Sequence, residues 1–277
     1  METLDTLKNG YKIFQDSDKF KFGIDAILLS YFCFDLIRKG DSVIDLGTGN
    51  GIIPLMLAKS NATSITGLEI QEENVCLAKK SVLENNLGQK IKIVQGDIKY
   101  VDKCFQKHSF EVVTTNPPYM IIEHGKQNPQ DAKAIARHEV LCNLNDIICA
   151  ADYLLKPHGK FFMIHRPFRL AEIFSCLINH KIEPKRMQLI SPFEGKEPNL
   201  VLIEARKNAN SRLKIEKNLI VYQEPGTYTQ DINSIYDQFS ILEDWVVSRQ
   251  QNHYRTSPKT NILIYEDKNS MNIYFFC

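Results

Sequence analysis

Short apolar runs alternate with amphipathic stretches along most of the chain, a pattern that predicts strands and helices in alternation. Seven strands are predicted, the first beginning at Ser42 and the others over residues 63–70, 90–95, 110–115, 160–165, 186–190 and 200–206. Helices are predicted over residues 24–37, from Ile52 onward, and over 72–86, 132–139, 145–155 and 169–179. Strand–helix alternation favours parallel βαβ units, and the turn at 191–196 favours an antiparallel last strand. The sequence therefore predicts an α/β protein with a Rossmann-like, seven-stranded, mostly parallel sheet.

The last part of the chain has a different pattern. One helix is predicted over residues 241–250, which include the only tryptophan, Trp245, and two apolar runs at 261–265 and 272–276 are predicted to pair as a hairpin. We therefore divide the chain into a main domain, residues 1–236, and a small C-terminal extension, residues 237–277. The sequence assigns no function to this extension.

A glycine-rich turn follows the first predicted strand, in the sequence Asp45-Leu46-Gly47-Thr48-Gly49-Asn50-Gly51. Glycine allows close backbone approach to a ligand, and the helix that follows presents unpaired N–H groups. A dinucleotide-binding turn, G-x-G-x-x-G, would need glycine where Ile52 stands, which excludes a dehydrogenase. The spacing G-x-G-x-G, opened by an acid, resembles that of S-adenosylmethionine-dependent methyltransferases. Asp45 and the three glycines are therefore candidate cofactor-binding residues.

Acidic residues also end the next two predicted strands. Glu69 closes the second strand, beside Ile70, and Asp97 follows the third. A carboxylate at the end of the second strand can accept both hydroxyl protons of a ribose. Asp97 could contact an adenine amino group while Ile98 packs on the adenine ring. Three acids at successive strand ends, with Asp45 the first, indicate a nucleoside-containing cofactor.

The tetrapeptide Asn116-Pro117-Pro118-Tyr119 follows the predicted strand at 110–115. Proline has no backbone N–H and holds φ at about −65°, so the strand must end in a stiff turn. In an open α/β sheet this edge is where ligands bind. The Asn116 side-chain oxygen and the Pro117 carbonyl can accept the two hydrogens of an exocyclic NH2 group, while Tyr119 stacks on its ring. We expect the four residues to be catalytic, and Asn116 to contact the cofactor as well.

The composition excludes several classes of protein. The chain has 277 residues, 43% of them apolar, and a formal net charge of +1. No apolar run approaches the ~20 residues of a membrane span, and the first residues lack a signal-peptide pattern, so a cytoplasmic protein is expected. Seven cysteines are scattered without zinc-ligand spacing, so no metal is expected. Residues 156–217 contain thirteen Lys and Arg and six Glu, which fits either a nucleic-acid partner or solvated helix faces.

Four further motifs complete the pattern: Ala136-Arg137-His138-Glu139, His165-Arg166-Pro167-x-Arg169, Glu183-Pro184-Lys185-Arg186 and Gly195-Lys196-Glu197-Pro198-Asn199. With the glycine turn and the N-P-P-Y, they closely resemble the bacterial tRNA1(Val) (adenine-37-N6)-methyltransferase family. The resemblance implies a class I methyltransferase fold, S-adenosylmethionine as methyl donor, and transfer to N6 of adenine in a tRNA anticodon loop. The run Phe20-Lys21-Phe22-Gly23-Ile24-Asp25-Ala26 resembles the cofactor-side motif of that family. This adds Phe22, Gly23 and Asp25 to the candidate cofactor-binding residues.

Candidate substrate contacts follow the N-P-P-Y and the fifth predicted strand. The polar loop around Lys126 is long enough to be a substrate-facing lid. Arg137 and His138 come after it, and would either position the lid or the RNA, or begin a helix with an ion pair. Arg166 and Arg169 lie at the edge where the substrate must enter, and phosphate contacts are expected for both. We expect a monomer or a weak homodimer.

Other acceptors share the planar NH2 group of adenine. Methyltransferases that modify a glutamine of release factors also carry N-P-P-Y, but they resemble one another in a sizeable helical domain before the glycine turn. Only 44 residues precede Asp45 here. DNA adenine methylation stays open, because the turn would recognise the base and not the sugar. The remaining alternative is a catalytically silent RNA-binding module, against which the intact turn and acids argue.

Overall fold

The computed structural model describes residues 1–16, 23–117 and 142–249, together with the strand segments 255–256, 262–267 and 270–275. The helices are α1 Ile24–Phe34, α2 Ile52–Met56, α3 Glu72–Glu84, α4 Leu144–Leu154, α5 Leu170–Asn179 and α6 Gln230–Arg249. The strands are β1 Glu2–Thr6, β2 Lys12–Asp16, β3 Ser42–Leu46, β4 Ser64–Glu69, β5 Ile91–Gln95, β6 Phe110–Thr115, β7 Leu155–His165, β8 Ile182–Ser191, β9 Leu200–Lys207, β10 Lys214–Ile215, β11 Leu219–Ile220, β12 Tyr222–Glu224, β13 Thr227–Tyr228, β14 Arg255–Thr256, β15 Ile262–Asp267 and β16 Ser270–Phe275.

One sheet of nine strands organises the main part of the chain. Its order is β10–β8–β9–β7–β6–β3–β4–β5, and β11 also pairs with β8. The strands run parallel except β9, which is antiparallel to both β7 and β8. The seven predicted strands therefore form one mostly parallel sheet with an antiparallel last strand, and the predicted fold class is confirmed. The short strands β10 and β11 extend its edge beyond the seven.

The apolar runs of the strands are buried on both faces of this sheet. Val43 and Phe162 pack in one core cluster together with side chains of α1, α2, α3 and α6. Ile44 and Phe161 pack in a second cluster with side chains of α4 and α5. Successive strand residues point to opposite faces, so each strand contributes to both clusters. The sheet is thus a layer between two layers of helices, which is why its central strands are largely apolar.

The strand β7 begins at Leu155, earlier than the predicted 160–165. The Pro157-His158-Gly159 sequence, between the predicted helix at 145–155 and the predicted strand at 160–165, forms an irregular start of the strand. His158 has φ +63°, and the pairing of β6 with β7 shifts register between Phe110 and Val112. The irregular backbone lets the chain pass from α4 directly into β7.

The N-terminal hairpin β1–β2 was not predicted. It is held by α3, because the Phe14 N–H donates to the Ser81 hydroxyl at 2.9 Å and the Lys12 N–H donates to the Asn85 side chain at 2.8 Å. Ile13 is buried in the first core cluster. An isolated two-stranded hairpin is marginal in water, so this one depends on α3.

The helix α6 crosses the predicted domain boundary at residue 236 and begins eleven residues before the predicted start at 241. Its first part belongs to the main core, since Ile232 and Ile235 are buried and Phe239 meets Phe34 edge-to-face at 5.6 Å. Beyond it, β15 and β16 pair antiparallel, as the predicted hairpin requires. Among the residues described, no helix combines the length and the apolar character needed to cross a membrane.

Arg186 connects three elements of the fold, and its removal should destabilise the protein. Its Nε lies 3.0 Å from Glu204 Oε2, its Nη2 donates to the Phe32 carbonyl at 2.7 Å, and its guanidinium carbon lies 3.8 Å from the Phe32 ring centroid. Arg186→Ala leaves the buried Glu204 carboxylate without its best partner, and we expect the free energy of unfolding to fall by about 2–3 kcal/mol. The free energy of unfolding is measured by urea denaturation. The control Lys214→Ala, at an exposed residue, should change the free energy of unfolding by less than ~0.5 kcal/mol. Equal changes for the two variants would contradict the prediction.

Candidate active site

The predicted site residues gather at one edge of the sheet. The strands β3, β4, β5, β6 and β7 are parallel, so their carboxyl ends lie at the same edge. The glycine turn follows β3, Glu69 ends β4, Asp97 follows β5, and Asn116 follows β6. Residues spread over about seventy positions of sequence thus converge, as the crevice rule for open α/β sheets requires.

The glycine turn has a conformation that only glycine adopts readily. Gly47, Gly49 and Gly51 have φ of +70°, +56° and +86°. A Cβ on Gly51 would lie 3.1 Å from the Ala78 Cβ of α3, so a larger residue would push α3 away. At Gly49 a Cβ would meet nothing within 4 Å, so here the backbone angle, and not crowding, requires glycine.

Glu69 anchors this turn from the neighbouring strand. Its carboxylate is buried, with Oε2 accepting the Gly49 N–H at 2.9 Å and Oε1 accepting the Gln71 N–H at 2.8 Å. Each oxygen of an ionised carboxylate can accept further hydrogen bonds. Glu69 is therefore a rigid acceptor with capacity for two ligand hydroxyls.

Asp45 lies beneath the turn and is 1% exposed. Its Oδ1 accepts the Thr114 hydroxyl at 2.8 Å. Its Oδ2 and the Thr48 hydroxyl are buried without a hydrogen-bond partner of good geometry among the described residues. Burial raises the pKa of Asp45 to about 7; the Thr48 and Thr114 hydroxyls oppose the rise and the Glu69 charge adds to it. A buried carboxyl that is only partly satisfied is characteristic of functional sites.

Asp97 and Ile98 lie on the other side of the turn. The Asp97 side chain accepts the Lys99 N–H at 2.9 Å and so caps a short 3-10 helix at Ile98–Lys103. The Ile98 Cδ1 lies 3.9 Å from the position of a Cβ on Gly47, so this side chain faces the glycine turn. Ile70, the predicted cofactor-binding residue that follows Glu69, is 37% exposed and so accessible to a ligand. The contacts predicted for Asp97 and Ile98 with an adenine stay a prediction.

Two buried threonines attach the start of the N-P-P-Y to the central strand. Thr114 donates to Asp45, and the Thr115 hydroxyl donates to the Leu46 carbonyl at 3.1 Å. Asn116, half-buried, and Pro117, buried, follow directly. Neither threonine is among the predicted site residues, although hydroxyl side chains at the end of an apolar strand, just before the N-P-P-Y, are a visible signal in the sequence.

The arginines after β7 are held by protein groups. Arg166 Nη1 donates to the Asn199 carbonyl at 2.9 Å, and Arg169 makes two hydrogen bonds to Glu172, at 2.8 and 2.6 Å. The pair lowers the pKa of Glu172. His165 is buried and its Nδ1 accepts the Arg166 N–H at 2.7 Å, while burial lowers its pKa to about 4, so the ring is neutral at pH 7.

Gly23 and Asp25 begin α1, which packs in the same core cluster as α2. Gly23 is the N-cap, and a Cβ there would lie 2.7 Å from Asp25 Oδ1, so the buried Asp25 leaves no space for one. Six other predicted site residues lie outside the described residues: Phe22, Pro118, Tyr119, Lys126, Arg137 and His138. The predicted helix 132–139 also lies outside them.

The excess of basic residues between 156 and 217 has a partly structural explanation. Lys156 pairs with Glu111, Lys207 with Asp152, and Lys160 donates to the Leu36 carbonyl. These three lie toward the amino edge of the sheet, at the start of β7 and the end of β9. The count of charges therefore overstates the positive charge at the site.

Comparison with known proteins agrees with the predicted family resemblance. Curated relatives named "tRNA1(Val) (adenine(37)-N6)-methyltransferase" include a protein of Tolumonas auensis, 27% identical over 83% of this chain and 94% of its own, and one of Histophilus somni, 28% identical with the same coverage. The predicted resemblance is thus confirmed.

Solved structures show the same fold. A protein described as a predicted O-methyltransferase of Agrobacterium tumefaciens gives a TM-score of 0.63 at 21% identity, over 78% of this chain and 97% of the other. The tRNA m1G37 methyltransferase of M. jannaschii gives 0.54 at 17% identity, over 76% and 55%. Residues 23–174 match the methyltransferase small domain, more than half of the chain. The chain therefore belongs to the S-adenosylmethionine-dependent methyltransferases of the methyltransferase small domain family.

Proposed function

We propose that this protein methylates N6 of adenine in tRNA, at position 37 of the anticodon loop of tRNA1(Val), with S-adenosylmethionine as the donor. The observation that carries the proposal is that Thr114 and Thr115 attach the end of β6, which leads into Asn116-Pro117, to the end of β3, which leads into the glycine turn. It joins an acceptor of NH2 hydrogens to a nucleoside-binding turn. The names of the relatives, which match over about four fifths of the chain, support the tRNA substrate. A cytoplasmic monomer or weak homodimer stays a prediction.

The cofactor fits the residues at this edge. S-adenosylmethionine supplies an electrophilic methyl group carried on a sulfonium. Glu69 would accept the ribose hydroxyls, because both its oxygens are fixed and retain acceptor capacity. Asp97 and Ile98 would hold the adenine, and the unsatisfied Asp45 Oδ2 offers an acceptor beneath the turn. Further contacts are assigned to Phe22, Gly23, Asp25, Gly47, Gly49, Gly51, Ile70 and Asn116.

The acceptor amine needs orientation more than a strong base. The lone pair of adenine N6 is delocalised into the ring, so the free amine is a poor nucleophile. In our proposal the Asn116 oxygen and the Pro117 carbonyl accept its two N–H groups, which favours a pyramidal nitrogen whose lone pair points at the methyl group. Tyr119 stacks on the base after it leaves the loop stack. After transfer the cationic amine releases its proton to water.

The proposal is tested with the purified protein, S-adenosylmethionine and unmodified total tRNA, with nucleosides read by mass spectrometry. We expect N6-methyladenosine, mapped to position 37 by sequencing of the modified tRNA. Parallel reactions contain double-stranded DNA or release factor as the acceptor. Methylation of either of these with none on tRNA would overturn the proposed substrate while leaving the methyltransferase chemistry in place.

Glu69→Gln should weaken cofactor binding. The amide keeps one acceptor oxygen but replaces the other with a donor that opposes a backbone N–H, so one charge-assisted hydrogen bond is lost. We expect the Kd of S-adenosylmethionine, measured by calorimetry, to rise about 10–30-fold. Glu72→Gln, at the exposed start of α3, serves as control and should leave the Kd unchanged. Equal Kd values for the two variants would remove Glu69 from the cofactor site.

A further inference from the structure

Phe168 is an apolar side chain that the fold leaves in solvent. It is 68% exposed, more than Tyr100 at 52% or Tyr31 at 36%, the other exposed aromatic residues among those with described side chains. It stands between Arg166 and Arg169, in the motif where sequence analysis considered only the arginines. The ring therefore has no part in the core and lies open to a partner.

The position of Phe168 is next to the proposed acceptor site. The strands β6 and β7 pair in parallel with Thr115 opposite Met163. Asn116 is therefore level with Ile164, and Phe168 follows only four residues later at the same carboxyl edge. Adjacent strands lie about 4.8 Å apart. Phe168 therefore lies on the segment that follows the strand next to β6, at the sheet edge that carries Asn116.

The turn that carries Phe168 is rigid. Pro167 fixes its own φ, and the Arg169 N–H donates to the Arg166 carbonyl at 3.2 Å, closing a 3-10 turn. Glu172 holds Arg169 with two hydrogen bonds. On the other side, Arg166 donates to the Asn199 carbonyl, in the segment that also carries the exposed Lys196. The backbone that carries the ring is therefore rigid. The charged side chains of these segments are of both signs, because Glu172 pairs with Arg169 and the exposed Glu194 and Glu197 flank Lys196.

We infer that Phe168 stacks on an unpaired base of the RNA loop, next to the adenine that enters the active site. The inference rests on the proposed function and adds to it a substrate-binding residue. Proteins recognise single-stranded RNA by stacking its unstacked bases on aromatic rings, with basic groups near the phosphates. A rigid ring loses little conformational freedom on binding, which suits such a platform. The place of Phe168 at the sheet edge that carries the proposed acceptor site favours RNA over an apolar protein surface.

The test measures tRNA binding and methylation for the full chain carrying Phe168→Ala, Phe168→Trp or Leu83→Ala. Leu83 is the control, since it is 72% exposed on α3. We expect Phe168→Ala to raise the Kd of tRNA about 10-fold, equivalent to ~1.4 kcal/mol, with kcat within about 3-fold. Phe168→Trp should bind within about 2-fold of the wild type, and Leu83→Ala equally well. The slope of log Kd against log salt should not change, because stacking releases no counterions.

Three outcomes would overturn the inference. Phe168→Ala could bind tRNA like the wild type, or its salt slope could fall, which would indicate a lost phosphate contact instead. Sedimentation could also show that Phe168→Ala changes self-association and not RNA binding. These outcomes bear on Phe168 only when the wild type, assayed in parallel, forms N6-methyladenosine in tRNA. A wild type that forms none would overturn the proposed function itself, and with it this inference.

Discussion

Asn116→Ala is expected to lower kcat for adenine methylation by about 10²–10³-fold, the loss typical of removing one preorganised polar partner from a reacting group. Without the side-chain oxygen only the Pro117 carbonyl remains to orient the amine. The nitrogen lone pair then stays delocalised in the adenine ring for most of the bound lifetime. Because Thr114 and Thr115 hold the turn through their own hydrogen bonds, the fold should survive the substitution.

Single-turnover methylation at saturating tRNA and cofactor separates this effect from binding. Asn61→Ala, at an exposed asparagine before β4, is the matched control and should retain wild-type turnover. A thermal melt of both variants checks that they fold. If Asn116→Ala turns over within about 3-fold of the wild type, the orientation of the amine by this side chain is wrong.

Asp45→Asn is expected to stabilise the protein, and to do so more at high pH. The pKa of this carboxyl is about 7 in the fold and about 3.9 in an unfolded chain. Between these values the unfolded chain ionises and the folded protein does not. Ionisation therefore lowers the free energy of unfolding by ~1.4 kcal/mol per pH unit from about pH 4 to about pH 7, and by ~4 kcal/mol in all. Asparagine has no such ionisation, and its amide can donate to the unsatisfied Thr48 hydroxyl.

Urea denaturation at pH 5 and pH 8, without cofactor, tests the direction in which the stability difference changes with pH. The stability advantage of Asp45→Asn over the wild type should grow by about 2–3 kcal/mol between the two pH values. Asp102→Asn, at an exposed position, should stay within ~0.5 kcal/mol of the wild type at both. The same Asp45 variant should bind S-adenosylmethionine at least about tenfold more weakly, if this buried charge is kept for cofactor binding. An advantage that stays the same at pH 5 and pH 8 would show that Asp45 is ionised in the folded protein at both, contrary to the prediction.

Some features depended on contacts that no sequence pattern records. The predicted strand 110–115 matches β6, yet the roles of Thr114 and Thr115 follow from the register of β6 against β3, where Leu46 stands opposite Thr115. The hairpin β1–β2 escaped prediction because α3, about seventy residues away, satisfies its backbone groups. The helix α6 was predicted to start late, because its first part is polar apart from the residues that meet the core.

For the two arginines after β7, the position was predictable from the sequence but the hydrogen-bond partners were not. Sequence spacing put Arg166 and Arg169 at the carboxyl edge, and the structure agrees. Their partners, the Asn199 carbonyl and Glu172, come from separate segments or from the next helical turn. The exposure of Phe168 could not be read from its neighbours either, since burial depends on what packs from elsewhere.

Local patterns set by backbone geometry predicted the seven strands from β3 to β9, the glycine turn, the acids at the strand ends and the N-P-P-Y. Which of these residues meet depends on how the whole chain packs. Strand pairing brought Asp45, Glu69 and Asn116 to one edge, buried the Asp45 carboxyl and left Phe168 in solvent. Burial and strand register are properties of the packed whole, and so they govern pKa, rigidity and exposure in ways that spacing along the chain does not encode.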